Sequence, residues 1–311
     1  MGGHFCSLPA AVKMPRMPHD QPVVPVAGRD GHRFELIRVD APDPRAQMLL
    51  LPGLGMSARL YINFAKALSR RNIGVHIHEW RGNGSSSLRA SRSCSWGYAE
   101  LLDDLKAARA AVSADSHQKI LLGGHSLGGQ LTCLSAAADS RNLRGLFVIA
   151  GGSPYWRAFP AKHKPLMLVT MLAFPALGTL FGHYPGRKLG FGGNEARGVM
   201  QDWGRSARSG QYRPRSVSED LEVGMRDLEL PVLGIRMAQD WLAPPSSLDW
   251  LTGKLAGCEV TTQTVQADTN MEKADHYAWM KHPEPTAQIM SSWLGEQPSS
   301  EKGSTRQHGG G

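Results

Sequence analysis

Cysteine is scarce in this chain, and the four present, Cys6, Cys94, Cys133 and Cys258, stand far apart. With no C-x-x-C pair and no dense spacing, neither a disulfide framework nor a cysteine-built zinc site is indicated. The usage suits a reducing, cytoplasmic setting. No H-E-x-x-H occurs, so no metal is implied. The glycines around residue 126 are not followed by Gly-Lys-Ser/Thr and do not form G-x-G-x-x-G, so no nucleotide cofactor is expected, nor any other. The opening residues lack a basic segment leading into an apolar core, which argues against a secretory signal. Met1-Gly2 begins like a myristoylation site, but Cys6 stands where a serine or threonine is required.

Acidic residues are nearly missing from one long segment. Between Ser153 and Ser218, ten lysines and arginines face only Glu195 and Asp202, an excess of +8 that equals the net charge of all 311 residues. No nucleic-acid module accompanies this charge, so a nucleic-acid partner is not expected. An anionic substrate or a membrane surface fits better, against the plain alternative of a solvated face. Inside the same segment, Pro165 to Phe181 carries no charge and is rich in Leu and Met. A bilayer span needs roughly 20 residues. The stretch also falls between two expected sheet strands, so it reads as a helical lid whose apolar face covers the site. Contact with a membrane surface is a secondary expectation.

The remaining sequence alternates between strand-like and helix-like runs. Val23–Ala27 and Arg33–Val39 form an expected hairpin turned at Gly28–Gly31. Gln47–Pro52, Ile73–Glu79, Lys119–Leu122, Leu143–Ala150, Val232–Arg236 and Val260–Val265 read as strands. Leu60–Leu68, Tyr98–Val112, Gln130–Ala138 and Pro285–Leu294 read as helices. Strand–helix alternation implies right-handed crossovers and a mostly parallel sheet flanked by helices, an α/β fold. The expected division is a loose tail at 1–20, a core at 21–152 and 231–297, an inserted lid at 153–230 before the acid-bearing strand, and a disordered tail at 298–311.

Chemistry concentrates at Gly124-His125-Ser126-Leu127-Gly128. This is a G-x-S-x-G pattern with an apolar strand before it and a small-residue helix after it. Such a turn thrusts the serine hydroxyl out above a sheet and aims helix N–H groups at it. A serine hydroxyl is a weak nucleophile at neutral pH and needs an adjacent imidazole to take its proton, with a carboxylate to steady that imidazole.

Four motifs in order carry a resemblance: Leu51-Pro52-Gly53-Leu54, Trp80-Arg81-Gly82-Asn83-Gly84-Ser85, the serine turn, and Asp240-Trp241-Leu242-Ala243-Pro244. From about residue 21 to residue 296 the chain resembles the α/β-hydrolase superfamily. Within it, the chain is similar to the branch of lysophospholipase-like, monoacylglycerol-lipase-like and S33 serine aminopeptidase-like enzymes. The resemblance implies Ser126 as nucleophile, Asp240 as acid and His276 as base, with His282 the rival base and Asp268 and Asp275 spare acids. It also implies an oxyanion hole from the backbone N–H groups of Leu127 and Leu54. Pro52 replaces a common histidine and Asp275 a common glycine of the family. His125, His76 and His78 read as structural or surface residues.

The expected function is hydrolysis of a carboxylic ester through an acyl-enzyme, on a small molecule that bears an acyl chain or negative charge, such as a lysophospholipid or acylglycerol. A thioesterase or peptidase would use the same three residues. A non-catalytic protein that keeps only the fold and pocket is the alternative from another class.

Overall fold

In the computed structural model, residues 21–116 and 118–297 are described; the two expected tails lie outside the described residues. The alternating N-terminal residues form an antiparallel hairpin, β1 (Val23–Ala27) and β2 (Arg33–Val39). The apolar runs that follow become strands buried along nearly their whole length: β3 (Ala46–Leu51), β4 (Ile73–Ile77), β5 (Ile120–His125) and β6 (Leu143–Ile149). Helices α1 (Ile62–Ser69), α2 (Tyr98–Ser116) and α3 (Leu127–Ala138) connect them.

After β6 the chain leaves the sheet. It forms α4 (Lys164–Phe181), then a small hairpin of β7 (His183–Pro185) and β8 (Asn194–Ala196) around the single turn α5 (Gly186–Leu189). Helices α6 (Arg197–Ser209) and α7 (Leu221–Arg226) follow. The chain returns through β9 (Pro231–Met237), α8 (Pro245–Thr252), β10 (Glu259–Val265) and α9 (Glu284–Glu296).

The eight-stranded sheet has the order β1-β2-β4-β3-β5-β6-β9-β10. Only β2 runs against its neighbours; the other pairs are parallel. Side chains alternate across it. Leu49 and Leu51 of β3 enter one apolar layer with Leu105 of α2 and Leu131 of α3, whereas Met48 and Leu50 enter the other with Phe64 of α1 and Met290 of α9. The carboxyl ends of β5 and β9 therefore come out on the same edge.

The sequence reading anticipated α4 but neither the small hairpin nor α6. Gly198 and Gly204 lower the helical propensity of α6, and Gly204 has a packing reason. A Cβ there would strike Pro175 and crowd the Met171 carbonyl of α4. That carbonyl is the one a proline four residues on leaves without its helical donor.

The small hairpin buries a carboxyl. Glu195 of β8 is nearly inaccessible, and its Oε1 has no hydrogen-bond partner among the described residues. Burial raises its pKa from 4.5 to about 7, against a lesser opposing effect of Arg187. The folded chain thus holds a proton there that the unfolded chain releases. This contribution to stability is complete below about pH 4.5 and is lost as pH rises through about 7. Glu79, also buried and raised to about 7, acts in the same direction. Glu195→Gln is expected to shrink the fall in melting temperature between pH 5 and pH 8 without abolishing it. Identical pH dependence in the two proteins would refute this.

Candidate active site

Strand β5 ends at His125 and helix α3 begins at Leu127, so Ser126 alone turns the chain. It does so at φ 54° and ψ −116°, a region that costs a non-glycine residue on the order of 1–3 kcal/mol. The conformation is held by the Ser126 N–H donating to Ile149 O (3.1 Å) and the Gly129 N–H donating to Ser126 O (3.0 Å). The turn presses strand and helix against β3. A Cβ on Gly124 or on Gly128 would collide with the Leu51 carbonyl, which is why both positions are glycine.

Three side chains converge from distant parts of the chain. The Ser126 hydroxyl donates to His276 Nε2 (3.0 Å), and His276 Nδ1–H donates to Asp240 Oδ2 (2.8 Å). Asp240 follows β9, and its other oxygen accepts the N–H groups of Leu242 (2.9 Å) and Ala243 (3.0 Å). The loops that bear acid and imidazole are tied together directly. The Gln239 N–H donates to Ala274 O, and the Ala274 N–H donates to Gln239 Oε1, both at 2.8 Å. Trp279 Nε1–H caps the His276 carbonyl (3.1 Å). Asp240 and His276 are buried and Ser126 is half-buried.

The rival residues lie elsewhere. His282 is exposed. Asp275 accepts the N–H groups of Tyr277 and Ala278, and Asp268 those of Asn270 and Met271, so both carboxylates close local turns. His76 in β4 and His78 just beyond it are both buried, which fits the structural reading of these residues and corrects the surface one.

Leu127 opens α3, so its N–H has no acceptor within the helix. Across the site, the Gly53 N–H is taken by Tyr61 Oη (2.8 Å), and Leu54 is the next residue of that loop. Tyr61 Oη also shares a hydrogen bond with His125 Nδ1 (2.8 Å). Burial, reinforced by the neighbouring His276, holds His125 well below the ordinary histidine range. Sequence reading missed Tyr61, because nothing in an aromatic residue opening a helix signals a contact with a loop eight residues earlier.

Leu54, Ser126, Leu127 and His276 open onto a cavity of about 310 Å³. Phe159, Met167, Phe174, Phe191 and Trp203 make most of its far wall apolar, and among the described residues no Asp, Glu, Lys or Arg lines it. The basic residues of the insertion lie outside it. Helix α4 is two-sided: Met167 and Phe174 face the cavity, while Leu168, Val169, Leu172, Leu180 and Phe181 are exposed. The expectation of one apolar face, turned to the site, accounts for only part of this helix.

Residues 42–223 match the family model of the serine aminopeptidases, S33. The chain belongs to this family of hydrolases. In this S33 chain, Asp240 and His276 lie beyond the matched segment, so it is the geometry above that brings them to Ser126. A Schizosaccharomyces pombe protein with a provisional monoglyceride lipase name is 32% identical over 127 residues. The alignment covers 40% of this chain and about a third (33%) of that relative. The monoacylglycerol lipase of Paleococcus ferrophilus has the same fold, with a TM-score of 0.57 at 16% identity over 84% of this chain and 98% of its own. An esterase of Exiguobacterium antarcticum gives 0.59 at 15% identity over 88% and 99%. The mostly parallel sheet with its flanking helices is the α/β-hydrolase fold.

Tyr61 is a positioning residue for the loop that carries Leu54. Tyr61→Phe removes the oxygen that holds Gly53 and keeps the ring. Ester turnover is expected to lose about tenfold in kcat with KM within a factor of two, since losing a whole oxyanion donor costs about 10²–10³. A change in KM alone would show that the hydroxyl serves only binding.

Proposed function

We propose that the chain is a serine hydrolase that cleaves carboxylic esters of acyl chains. The hydrogen-bonded series Ser126–His276–Asp240, opening onto an apolar cavity, carries this reading. Ser126 Oγ attacks the ester carbonyl carbon while its proton passes to His276 Nε2. The negative oxygen that results is met by the backbone N–H groups of Leu127 and Leu54. The tetrahedral species collapses, the C–O bond to the alcohol breaks, and His276 returns the proton to the departing oxygen. Water, deprotonated by the same imidazole, then releases the acid and restores Ser126. Asp240 holds the Nδ1–H tautomer and stabilises the imidazolium in both halves.

Thioesters and peptides would engage the same atoms, but the cavity favours a neutral acyl group. A free amino terminus needs a carboxylate to hold it, and a substrate anion needs a cation, because a buried unpaired charge is costly. Among the described residues, neither kind of side chain lines the wall. The segment from 153 to 230 then acts as a lid that selects the acyl chain.

The outer side of α4 supports a peripheral membrane contact. Ala161–Phe181 is long and apolar enough to cross a bilayer, yet α4 packs along α6 and β7 and remains mostly exposed. Exposed leucines with Lys162, Arg187 and Lys188 nearby in sequence suit the boundary of an anionic lipid surface, where substrates with acyl chains reside.

Fluorophosphonate labelling is expected for the wild type and absent in Ser126→Ala. Asp240→Asn should lower kcat for a p-nitrophenyl ester by about 10⁴. Folded wild-type protein that neither labels nor turns over any ester would favour the non-catalytic alternative. Flotation with vesicles containing anionic lipid should carry the protein upward, less so at high salt. Val169→Asp combined with Leu172→Asp should abolish the shift; flotation indifferent to both would reject the lid contact.

A further inference from the structure

Leu54 lies in a turn that the insertion touches. The Met56 N–H donates to Gly53 O (3.1 Å) and closes the turn over residues 53–56. On one side of Leu54, Tyr61 Oη holds the Gly53 N–H. On the other side stands Gly55, at φ 68°, where a Cβ would overlap the backbone nitrogen of Gly193. The approach is reciprocal. A Cβ on Gly193 would come within 2.7 Å of Gly55 Cα and 2.9 Å of Glu195 Oε1. Non-bonded carbons settle about 3.5–4.0 Å apart, so neither position has room for a side chain. Gly193 lies outside the left-handed region, so close approach alone demands glycine there.

The segment that presses on this turn is itself anchored. The Phe191 N–H donates to Gly186 O (3.1 Å), and the Phe191 ring stacks on Phe174 of α4 with centroids 5.7 Å apart. Strand β8 follows at once, with Glu195 paired to Tyr184. A Cβ on Gly192 would meet Leu54 Cδ2 at 3.5 Å, so the Leu54 side chain rests against this segment too. Phe191 and Gly192 also line the cavity. One stretch of the insertion thus forms cavity wall and backs the Leu54 turn. A backbone N–H that meets a developing charge must be aimed beforehand, since a donor that shifts must reorganise during the reaction. Holding Gly53 and Gly55 fixes Leu54 from both of its neighbours.

We propose that residues 191–193 of the insertion position the oxyanion loop, with Gly193 the positioning residue that holds Gly55 and through it the Leu54 N–H. This rests on the hydrolase reading above. The insertion then does more than select the acyl chain: it completes the support of a group that acts in the transition state.

Gly193→Ala tests this, with kcat counted per serine that a fluorophosphonate labels at completion. For a p-nitrophenyl ester, kcat is expected to fall about tenfold with KM within about a factor of three, a part of the 10²–10³ that losing a whole donor costs. Octylboronic acid becomes tetrahedral on Ser126 Oγ and places an oxygen where the oxyanion would lie. Its inhibition is expected to weaken about tenfold as well. Gly190→Ala is the control. It strains the same hairpin, at φ 74°, but among the described residues its Cβ would meet nothing within 4 Å. It is expected to leave kcat per labelled serine within about a factor of two. An unchanged kcat in Gly193→Ala, a loss confined to KM, or an equal loss in Gly190→Ala would overturn the proposal. If Gly193→Ala does not fold, Phe191→Ala decides, measured with p-nitrophenyl acetate, whose acyl group has a single carbon beyond its carbonyl. Freeing the segment from α4 should lower kcat even for this ester, and an unaltered kcat would overturn the proposal. Failure of the hydrolase reading is distinguishable, because the wild type itself would then neither label nor turn over any ester.

Discussion

The site depends on one residue held in a conformation it does not favour. Ser126 adopts a positive φ because β5 must become α3 within a single residue, and the surrounding contacts leave no other path. Ile149 holds its N–H, and the Leu51 carbonyl closes the space on the far side of Gly124 and Gly128. The strain, on the order of 1–3 kcal/mol, is offset by the central strands β3, β5 and β6, which are among the most deeply buried parts of the molecule. The same turn brings the hydroxyl to His276, exposes the cavity and leaves the Leu127 N–H unspent. Loosening the sheet beneath it would disturb all three together.

The insertion separates two properties that are mixed in its sequence. Its positive charge and its apolar residues alternate along the chain, yet the fold turns the charges outward and sends only apolar and neutral side chains into the cavity. The charge therefore belongs to the outer surface of the insertion, and the cavity keeps an apolar and neutral lining. The crossing of α4 and α6 is close because Gly204 admits Pro175, so the proline that interrupts the apolar helix also sets how it packs.

Much of this was legible in the sequence, for identifiable reasons. The hairpin and the central strands announce themselves as an alternating stretch followed by uninterrupted apolar runs. The serine turn is legible because its glycines are demanded by backbone contact. Ser126, Asp240 and His276 were all named from motif order, but choosing His276 over His282 needed the geometry, since both follow β10 within a short span. The small hairpin was hidden because its three-residue strands carry no period, and α6 was hidden by glycines that serve helix packing. Tyr61 left no trace at all. Its meaning lies in a hydroxyl reaching another loop, which no local pattern encodes.

The neighbour of the nucleophile shows how closely these constraints are coupled. His125 lies with its ring centroid 4.6 Å from that of His276. On the proposed reaction His276 becomes positive, and a second charge at that distance would oppose it strongly in a buried setting. Burial, with His276 beside it, holds the His125 pKa well below the ordinary histidine range, so near neutral pH the imidazolium forms beside a dipole. The partner of that neutral ring is Tyr61, whose hydroxyl also fixes the Gly53 N–H. One phenol thus links the residue before the nucleophile to the loop expected to stabilise the oxyanion. The position preceding the serine accordingly bears on the electrostatics of the base, although its side chain is not among those that line the cavity.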